Sequence, residues 1–379
     1  MKDCTRQKDP NAAKTIDAKT IEKQFQYYCG IDIHKKKSYF YIIDNKGKRV
    51  FSGNINTNID DYRELLERYE PDEIQIAIEI GSLTFSYCDL FLEMGISFYI
   101  VNTAKHYAIA KSSSKTDKKD AKRLAINLWK DVLPQKVYMP TPEERQLRTL
   151  ISHRAYYVKQ LNRLINVTMA FLATYHIVLT RKALRSHNTW MELDEKIKAS
   201  DNRILKHLFS HAYQDFLFSC QCMDETEELL LELVGERKEF IEKYDLLLSI
   251  PGVGTITAIM VICMAGNIDR FQNVRQFVKY LGLAPKVRDS GGKQYGSRKI
   301  TKEGNGLLRG YLGQCTLGMM RTRKLEALPL QKWHNTVKKR RGWKKARVAA
   351  TRKLVHIIFG VLKHETPYNP AMVTLKRLA

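Results

Sequence analysis

The sequence is poor in the features that tie a chain to a membrane, an oxidising compartment or a cationic partner. No apolar run approaches the roughly 20 residues that cross a bilayer. The opening stretch, Met1 to Gln24, is polar and lysine-rich, without the apolar centre of a secretory signal, and residues 1–26 read as a disordered tail. The seven cysteines, Cys4, Cys29, Cys88, Cys220, Cys222, Cys263 and Cys315, are odd in number, scattered and without paired CxxC spacing, which argues against a disulfide framework or a thiolate zinc site. They read as reduced thiols of a cytosolic protein. Acids are scarce too: 40 Asp plus Glu stand against 64 Lys plus Arg, a formal charge of +24. That balance points to a polyanionic partner, nucleic acid first. At 379 residues the chain exceeds one compact core, so two or three domains of ordinary size are expected.

From Tyr27 onward, short β-forming runs appear: Tyr28 to Ile33, Ser38 to Ile43 and Arg49 to Ile55. Asp44-Asn45-Lys46-Gly47 has hairpin chemistry, making the second and third runs antiparallel neighbours. An amphipathic helix from about Asp60 to Tyr69, a fourth strand at Glu73 to Glu79, a helix around Phe85 to Glu93 and a fifth strand at Ile96 to Val101 complete the order β-β-β-α-β-α-β-α. This is the RNase H-like order, an α/β domain with a mixed sheet expected over residues 27–135. Strand signals vanish between Thr141 and Tyr244. Thr141-Pro142-Glu143-Glu144 starts a long helix with an N-cap, an N1 proline and first-turn acids; a second long helix is expected from Asp224 to Tyr244, with a less regular stretch between. Residues 141–245 thus read as a helical hairpin or coiled coil, 246–325 as a mostly helical domain, and 326–379 as a basic helical extension. The overall class is α/β plus α.

The carboxylates carry the first chemical signal. Asp32 is expected in the middle of the first strand, Glu79 at the end of the fourth, and these strands are neighbours in an RNase H-like sheet. Asp117 and Asp120, three apart in Lys115-Thr116-Asp117-Lys118-Lys119-Asp120-Ala121, share one helix face. Phosphoryl transfer needs such a cluster: two cations held about 3.5–4 Å apart by carboxylates neutralise the phosphate and orient the attacking oxygen, and hard oxygen ligands favour Mg²⁺ or Mn²⁺. A DxxD pair alone is also what a solvated lysine-rich helix carries. An acid between Ile31 and Ile33 is harder to dismiss, because burial is costly without a partner.

A second signal lies downstream. Ser249-Ile250-Pro251-Gly252-Val253-Gly254-Thr255 before an apolar helix reads either as a helix-hairpin-helix turn, with Gly252 and Gly254 letting backbone N–H groups reach a phosphate, or as a plain helix-helix turn. Ser290 is followed by two glycines in a loop that reads as flexible and electropositive, flanked by Arg288, Lys293, Arg298 and Lys299. A serine hydroxyl needs such cationic help to attack a phosphate, although Ser-Gly-Gly alone marks many ordinary loops.

Gly30-Ile31-Asp32-Ile33-His34-Lys35-Lys36, Ile78-Glu79 and Lys115 to Ala121 together resemble the RuvC-like domain of the DEDD insertion-sequence transposases, the family that includes the Piv invertases. The order Gly282-Leu283-Ala284-Pro285, Ser290-Gly291, Ile300-Thr301-Lys302-Glu303-Gly304-Asn305 and Leu308-Arg309 resembles the C-terminal domain of the same family. The resemblance covers roughly residues 28–130 and 245–323. It implies that Asp32, Glu79, Asp117 and Asp120 bind metal and that Ser290, with Ser297 as the fallback, links covalently to DNA. It further implies a composite site, a homo-oligomer (dimer or tetramer) joining donor and target DNA, a structured non-coding guide RNA encoded by the element, and a prokaryotic cytoplasm or nucleoid as its place. Lys115, Lys118, Arg288, Lys293, Arg298, Lys299, Lys302 and Arg309 become the expected nucleic-acid contacts. One departure stands out: Ile80-Gly81-Ser82-Leu83-Thr84-Phe85 is looser than the small residue and glycine before an aromatic that follow the family's glutamate.

Other readings stay open on sequence. Tyr156 and Tyr157, within Arg145 to Arg163, either stack on bases or pack a hairpin. Lys338 to Lys353, with nine Lys or Arg, no acid, and Trp343, supplies salt-sensitive affinity or is a solvated helix face. A metal-dependent nuclease or Holliday-junction resolvase would need the acids without Ser290, and a non-catalytic nucleic-acid-binding protein would need neither.

Overall fold

The computed structural model describes residues 25–102, 116–286, 289–290, 293–294 and 299–372, the two short pairs by their backbone alone. The chain divides into two compact units between Met139 and Pro140.

In the first unit, β1 (Tyr27–Asp32), β2 (Lys37–Asp44), β3 (Arg49–Asn56), β4 (Ile74–Glu79) and β5 (Ser97–Val101) form one sheet in the order β3-β2-β1-β4-β5. The β1–β2 and β2–β3 pairs are antiparallel; β1–β4 and β4–β5 are parallel. This is the expected RNase H-like arrangement. Alternation along the strands sorts residues to two faces. Cys29, Ile31, Ile74, Ile76 and Ile78 pack under Tyr62, Leu65 and Leu66 of α1 (Ile59–Leu66) and Tyr87, Leu90 and Phe91 of α2 (Thr84–Glu93). Tyr28, Tyr41, Ile43 and Ala77 pack under Ala121, Leu124, Ala125 and Leu128 of α3 (Asp117–Trp129). By parity, Asp32 and Glu79 belong to the α3 face. The structure corrects one detail: Asp32 closes β1 rather than sitting mid-strand.

The second unit is helical. Its first helix, α4 (Pro142–Thr174), begins with the expected capping box, Thr141 and Glu144 bonding each other's backbone N–H. After α5 (His187–Lys198), the returning helix α6 runs over Arg203–Gly235, starting 21 residues before the expected Asp224, and Glu236–Arg237 separates it from α7 (Lys238–Leu248). The intervening stretch is therefore mostly helix. Its aromatics bury against one another instead of breaking the chain: Trp190 stacks on Phe209 and Phe216. Helix α8 (Thr255–Ala265) is apolar all round, as a helix buried on every side must be, and is buried from Thr257 to Ala265. Its residues share one core with residues of α4, α6, α7, α9 (Val274–Tyr280), α10 (Gly306–Arg321), α11 (Leu328–Arg341) and α12 (Trp343–His364). The basic stretch is split by Gly342, at φ 79°, between the end of α11 and the start of α12.

Candidate active site

The parallel register sets Ile31 beside Ile78, so Asp32 and Glu79 finish adjacent strands at their carboxyl ends. Helix α3 crosses the same face, and Gly30 makes that crossing possible. A β-carbon there would lie 2.1 Å from the Ala121 carbonyl oxygen and 2.5 Å from the Ala125 nitrogen. Thr116 caps α3 by accepting from the Lys119 N–H, and the first turn carries Asp117, which is exposed, and Asp120, which is buried. Asp120 is paired with Arg123 one turn on.

The carboxylates sense one another. Burial pushes the Asp32 carboxyl above its ordinary range; His34 pulls it back, while Asp117, Asp120 and Glu79 push it further up. Burial and like charge thus both disfavour the ionised form of Asp32. His34, quoted in the motif but given no role on sequence, lies in the β1–β2 connection with Nε2 3.4 Å from both Asp32 Oδ2 and Asp117 Oδ1. Its spacing of two from Asp32 was the available signal. Among the described residues, Asp32, His34 and Asp117 form a group whose ligand atoms lie within 4.8 Å of one another. The donor set, carboxylate oxygen with one imidazole nitrogen, suits a divalent cation. The loose loop after Glu79 closes in its own way: Thr84 Oγ1 donates to the Glu79 carbonyl at 2.7 Å and accepts from the Gly81 N–H at 2.8 Å.

In the second unit, the segment after α9 pairs with the one entering α10. Pro285 bridges Ile300, the Thr301 N–H donates to Ala284, and the Lys286 N–H donates to Lys299. Further out, β6 (Asp289–Ser290) pairs with β7 (Lys293–Gln294), Ser290 opposite Lys293. Within the expected flexible loop, Ser290 thus lies in an antiparallel pair, and Gly291 and Gly292, between the partners in sequence, lie outside the described residues. Two motif glycines close the base: a β-carbon on Gly282 (φ 68°) would lie 1.8 Å from the Glu303 carbonyl oxygen, and one on Gly304 (φ 97°) 2.1 Å from that of Tyr280. Arg309 Nη1 bonds the carbonyls of Leu281 (3.2 Å) and Gly304 (3.0 Å), so this expected nucleic-acid contact also ties the ribbon's base. Lys118, Lys299 and Lys302 are exposed. Lys115, Arg288, Arg298 and Ser297 lie outside the described residues, as do the side chains of Ser290 and Lys293.

Gly252 (φ 85°) backs onto α10, where a β-carbon would lie 2.7 Å from the Cys315 carbonyl oxygen; Gly254, the N-cap of α8, faces open space. Tyr157 packs edge-on against His153, Tyr156 and Phe218, while Tyr156 remains exposed. No helix among the described residues is long and apolar enough to cross a membrane.

Two family models match the chain. One, a transposase model of the DEDD type from IS110 elements, covers residues 29–177; the other, described as "Transposase IS116/IS110/IS902 family", covers residues 244–329. Among curated relatives, the transposase for insertion sequence element IS1111A of Coxiella burnetii is 25% identical over 347 residues, 90% of each chain. A probable family 20 transposase of Pseudomonas aeruginosa is 24% identical over 258 residues, 68% of this chain and 75% of the relative.

Proposed function

Since the chain belongs to the DEDD-type insertion-sequence transposases, we propose that it cleaves and rejoins element DNA using Asp32, Glu79, Asp117 and Asp120 as metal ligands and Ser290 as nucleophile. The observation that supports this reading is the grouping of Asp32 and Asp117 with His34 at the carboxyl end of β1, where Glu79 and Asp120 add to the charge that raises the desolvated Asp32 carboxyl. Mg²⁺ or Mn²⁺ would be held by the four carboxylates, with His34 beside Asp32 and Asp117. A cation bound there would neutralise charge on the scissile phosphate. Arg123 holds Asp120 in place through their ion pair.

In the proposed step, Ser290 Oγ attacks the phosphorus, a serine–phosphate ester forms, the bond to one DNA oxygen breaks, and that oxygen takes up a proton as a free hydroxyl. Attack by a DNA hydroxyl on the ester reverses this and returns the serine. Lys118, Lys299 and Lys302, with Lys115, Arg288, Lys293, Arg298 and Arg309, would neutralise DNA phosphates. The helical region 141–245 would join subunits of a homo-oligomer, and a structured RNA from the element would select donor and target. The supports for these last two assignments are family membership and the basic charge.

The test incubates the purified protein with Mg²⁺, RNA transcribed from the DNA flanking its gene, and labelled donor and target DNA. The expected result is an SDS-stable protein–DNA adduct that Ser290→Ala abolishes. Metal-dependent cleavage without an adduct, unchanged in Ser290→Ala, would make the protein a RuvC-like nuclease instead.

A further inference from the structure

Between the ribbon's base, α10 and the start of α12 lies a cleft of about 450 Å³, within the range of roughly 300–1,000 Å³ typical of ligand pockets. We infer that this cleft receives one unpaired base of a DNA strand together with its phosphate, a subsite beside the Ser290 ribbon; the inference rests on the reading that the chain acts on DNA.

Three observations define the occupant. First, Lys302, Lys344 and Arg347 line the cleft, and none has a carboxylate partner among the described residues. Three unneutralised cations around one cavity call for an anion. Second, Trp343 presents an indole that is 45% exposed, with the Arg347 guanidinium 5.6 Å from its ring centre, and Leu283, Ile300 and Val348 supply apolar wall. A bare phosphate gains nothing from such walls, whereas a base has a π-face to stack on the indole. Third, the floor is open at Gly310, where a β-carbon would meet nothing within 4 Å, and is closed at Gly313 by the Arg347 guanidinium, 3.2 Å from where a β-carbon would lie. A flat ring can therefore settle onto the α10 backbone at Gly310, beside the Arg347 guanidinium.

The location favours a DNA strand over other nucleotides. Leu283 and Ile300 belong to the same antiparallel segment that leads to Ser290, and Ile300 is bridged to Pro285. Ser290 is five chain steps beyond Pro285, at most about 18 Å of extended chain. A stacked strand rises about 3.4 Å per nucleotide, so a strand reaching the serine passes the cleft within about five nucleotides. A paired base cannot offer its face to Trp343, so occupancy requires local unpairing. Trp343 would thus hold an extruded base and keep the strand from sliding while the neighbouring phosphate reacts.

The test measures binding of the full-length protein to a 12-nucleotide DNA single strand carrying 2-aminopurine, the matching RNA single strand and the DNA duplex, at one salt concentration. Trp343→Ala and Gly310→Leu, the second filling the cleft from a position with open space, should each weaken single-stranded DNA binding about fivefold or more, the loss of one base stack. Both should leave duplex binding within about twofold, and Trp343→Phe should bind like the wild type. The inference is overturned if single-strand affinity is unchanged in both variants, if duplex affinity falls in parallel, or if only the RNA strand depends on Trp343. Adduct formation through Ser290 is scored separately. Adducts with no cleft dependence defeat the subsite alone, and cleft-dependent binding without adducts defeats the serine assignment alone.

Discussion

The first unit sets Asp32, His34 and Asp117 together at one end of a sheet, whereas the second carries Ser290 on a ribbon of two-residue strands fixed at the base. The acids are set by the core. Their strand positions alternate with buried isoleucines, and α3 lies so close to β1 that only glycine fits between them. The ribbon is set by backbone: Gly282 and Gly304 in left-handed conformations, and one arginine spanning three carbonyls. The acids would hold the cation and the ribbon would carry the nucleophile, so damage to either unit should stop cleavage, while only damage to the acids should abolish the Mg²⁺ response.

The largest separation is expected from Asp32→Asn. Cleavage should fall at least about a thousandfold through loss of a metal ligand. The metal-free variant should nevertheless melt higher than wild type at neutral pH. With the carboxyl raised by burial and by its acidic neighbours, the folded chain binds that proton more readily than the unfolded one, so ionisation costs stability. The penalty is absent below the ordinary carboxylate value, grows as pH rises through the raised value and is complete above it. Mg²⁺ should stabilise wild type, by about 2.7 kcal/mol at a hundredfold excess over Kd, and leave the variant unmoved. Melting curves against pH with and without Mg²⁺ check this, and a wild type indifferent to Mg²⁺ would sink the metal-site reading.

Gly30→Ala attacks the same cluster without touching a charge. Its methyl would overlap the α3 backbone, so a loss of about 3 kcal/mol is expected from overpacking, with weakened Mg²⁺ response. Gly310→Ala is the contrast: its helix position is open, so a gain of up to about 1 kcal/mol is expected from helix propensity. Denaturant titrations of both variants test whether backbone proximity, and not glycine loss as such, governs the first unit.

These cases show what the sequence could reveal. Period-two alternation announces the sheet, and Asp32 and Glu79 share parity with Gly30 and Ala77, so their common face follows from counting. Thr141 and Glu144 mark a helix start by chemistry that acts over three residues. The start of α6 escaped because its polar, aromatic first half resembles a loop; Asn202 caps it through the Leu205 N–H, but cap residues are also loop residues, and only the packing on Trp190 decides between them. His34 escaped because its neighbours in space, Asp32 and Asp117, are brought together by tertiary crossing of α3. Gly282, Gly304 and Arg309 were visible as motif letters, yet their shared task at the ribbon's base is a matter of three-dimensional closure.

Arg309→Lys sharpens the contrast on the other unit. The shorter lysine cannot bring its ammonium to where Nη1 now meets the Leu281, Glu303 and Gly304 carbonyls, and losing charge-assisted bonds of this kind costs about 2 kcal/mol. Adduct formation should drop while Mg²⁺ stabilisation of the first unit persists. A parallel loss of Mg²⁺ response would mean that the ribbon and the acid cluster are not separable.

Thr141→Ala sets the lower bound. It removes one half of the capping box at the start of α4, for an expected cost of about 1 kcal/mol, and it lies in neither the acid cluster nor the ribbon. Thermal melting should shift slightly, with cleavage and adduct formation, measured at a temperature where the variant is fully folded, equal to wild type. Were adducts to fall with this variant while its fold held, the angle at which α4 leaves its cap would itself contribute to the chemistry, and the division of labour between sheet and ribbon would need a third part.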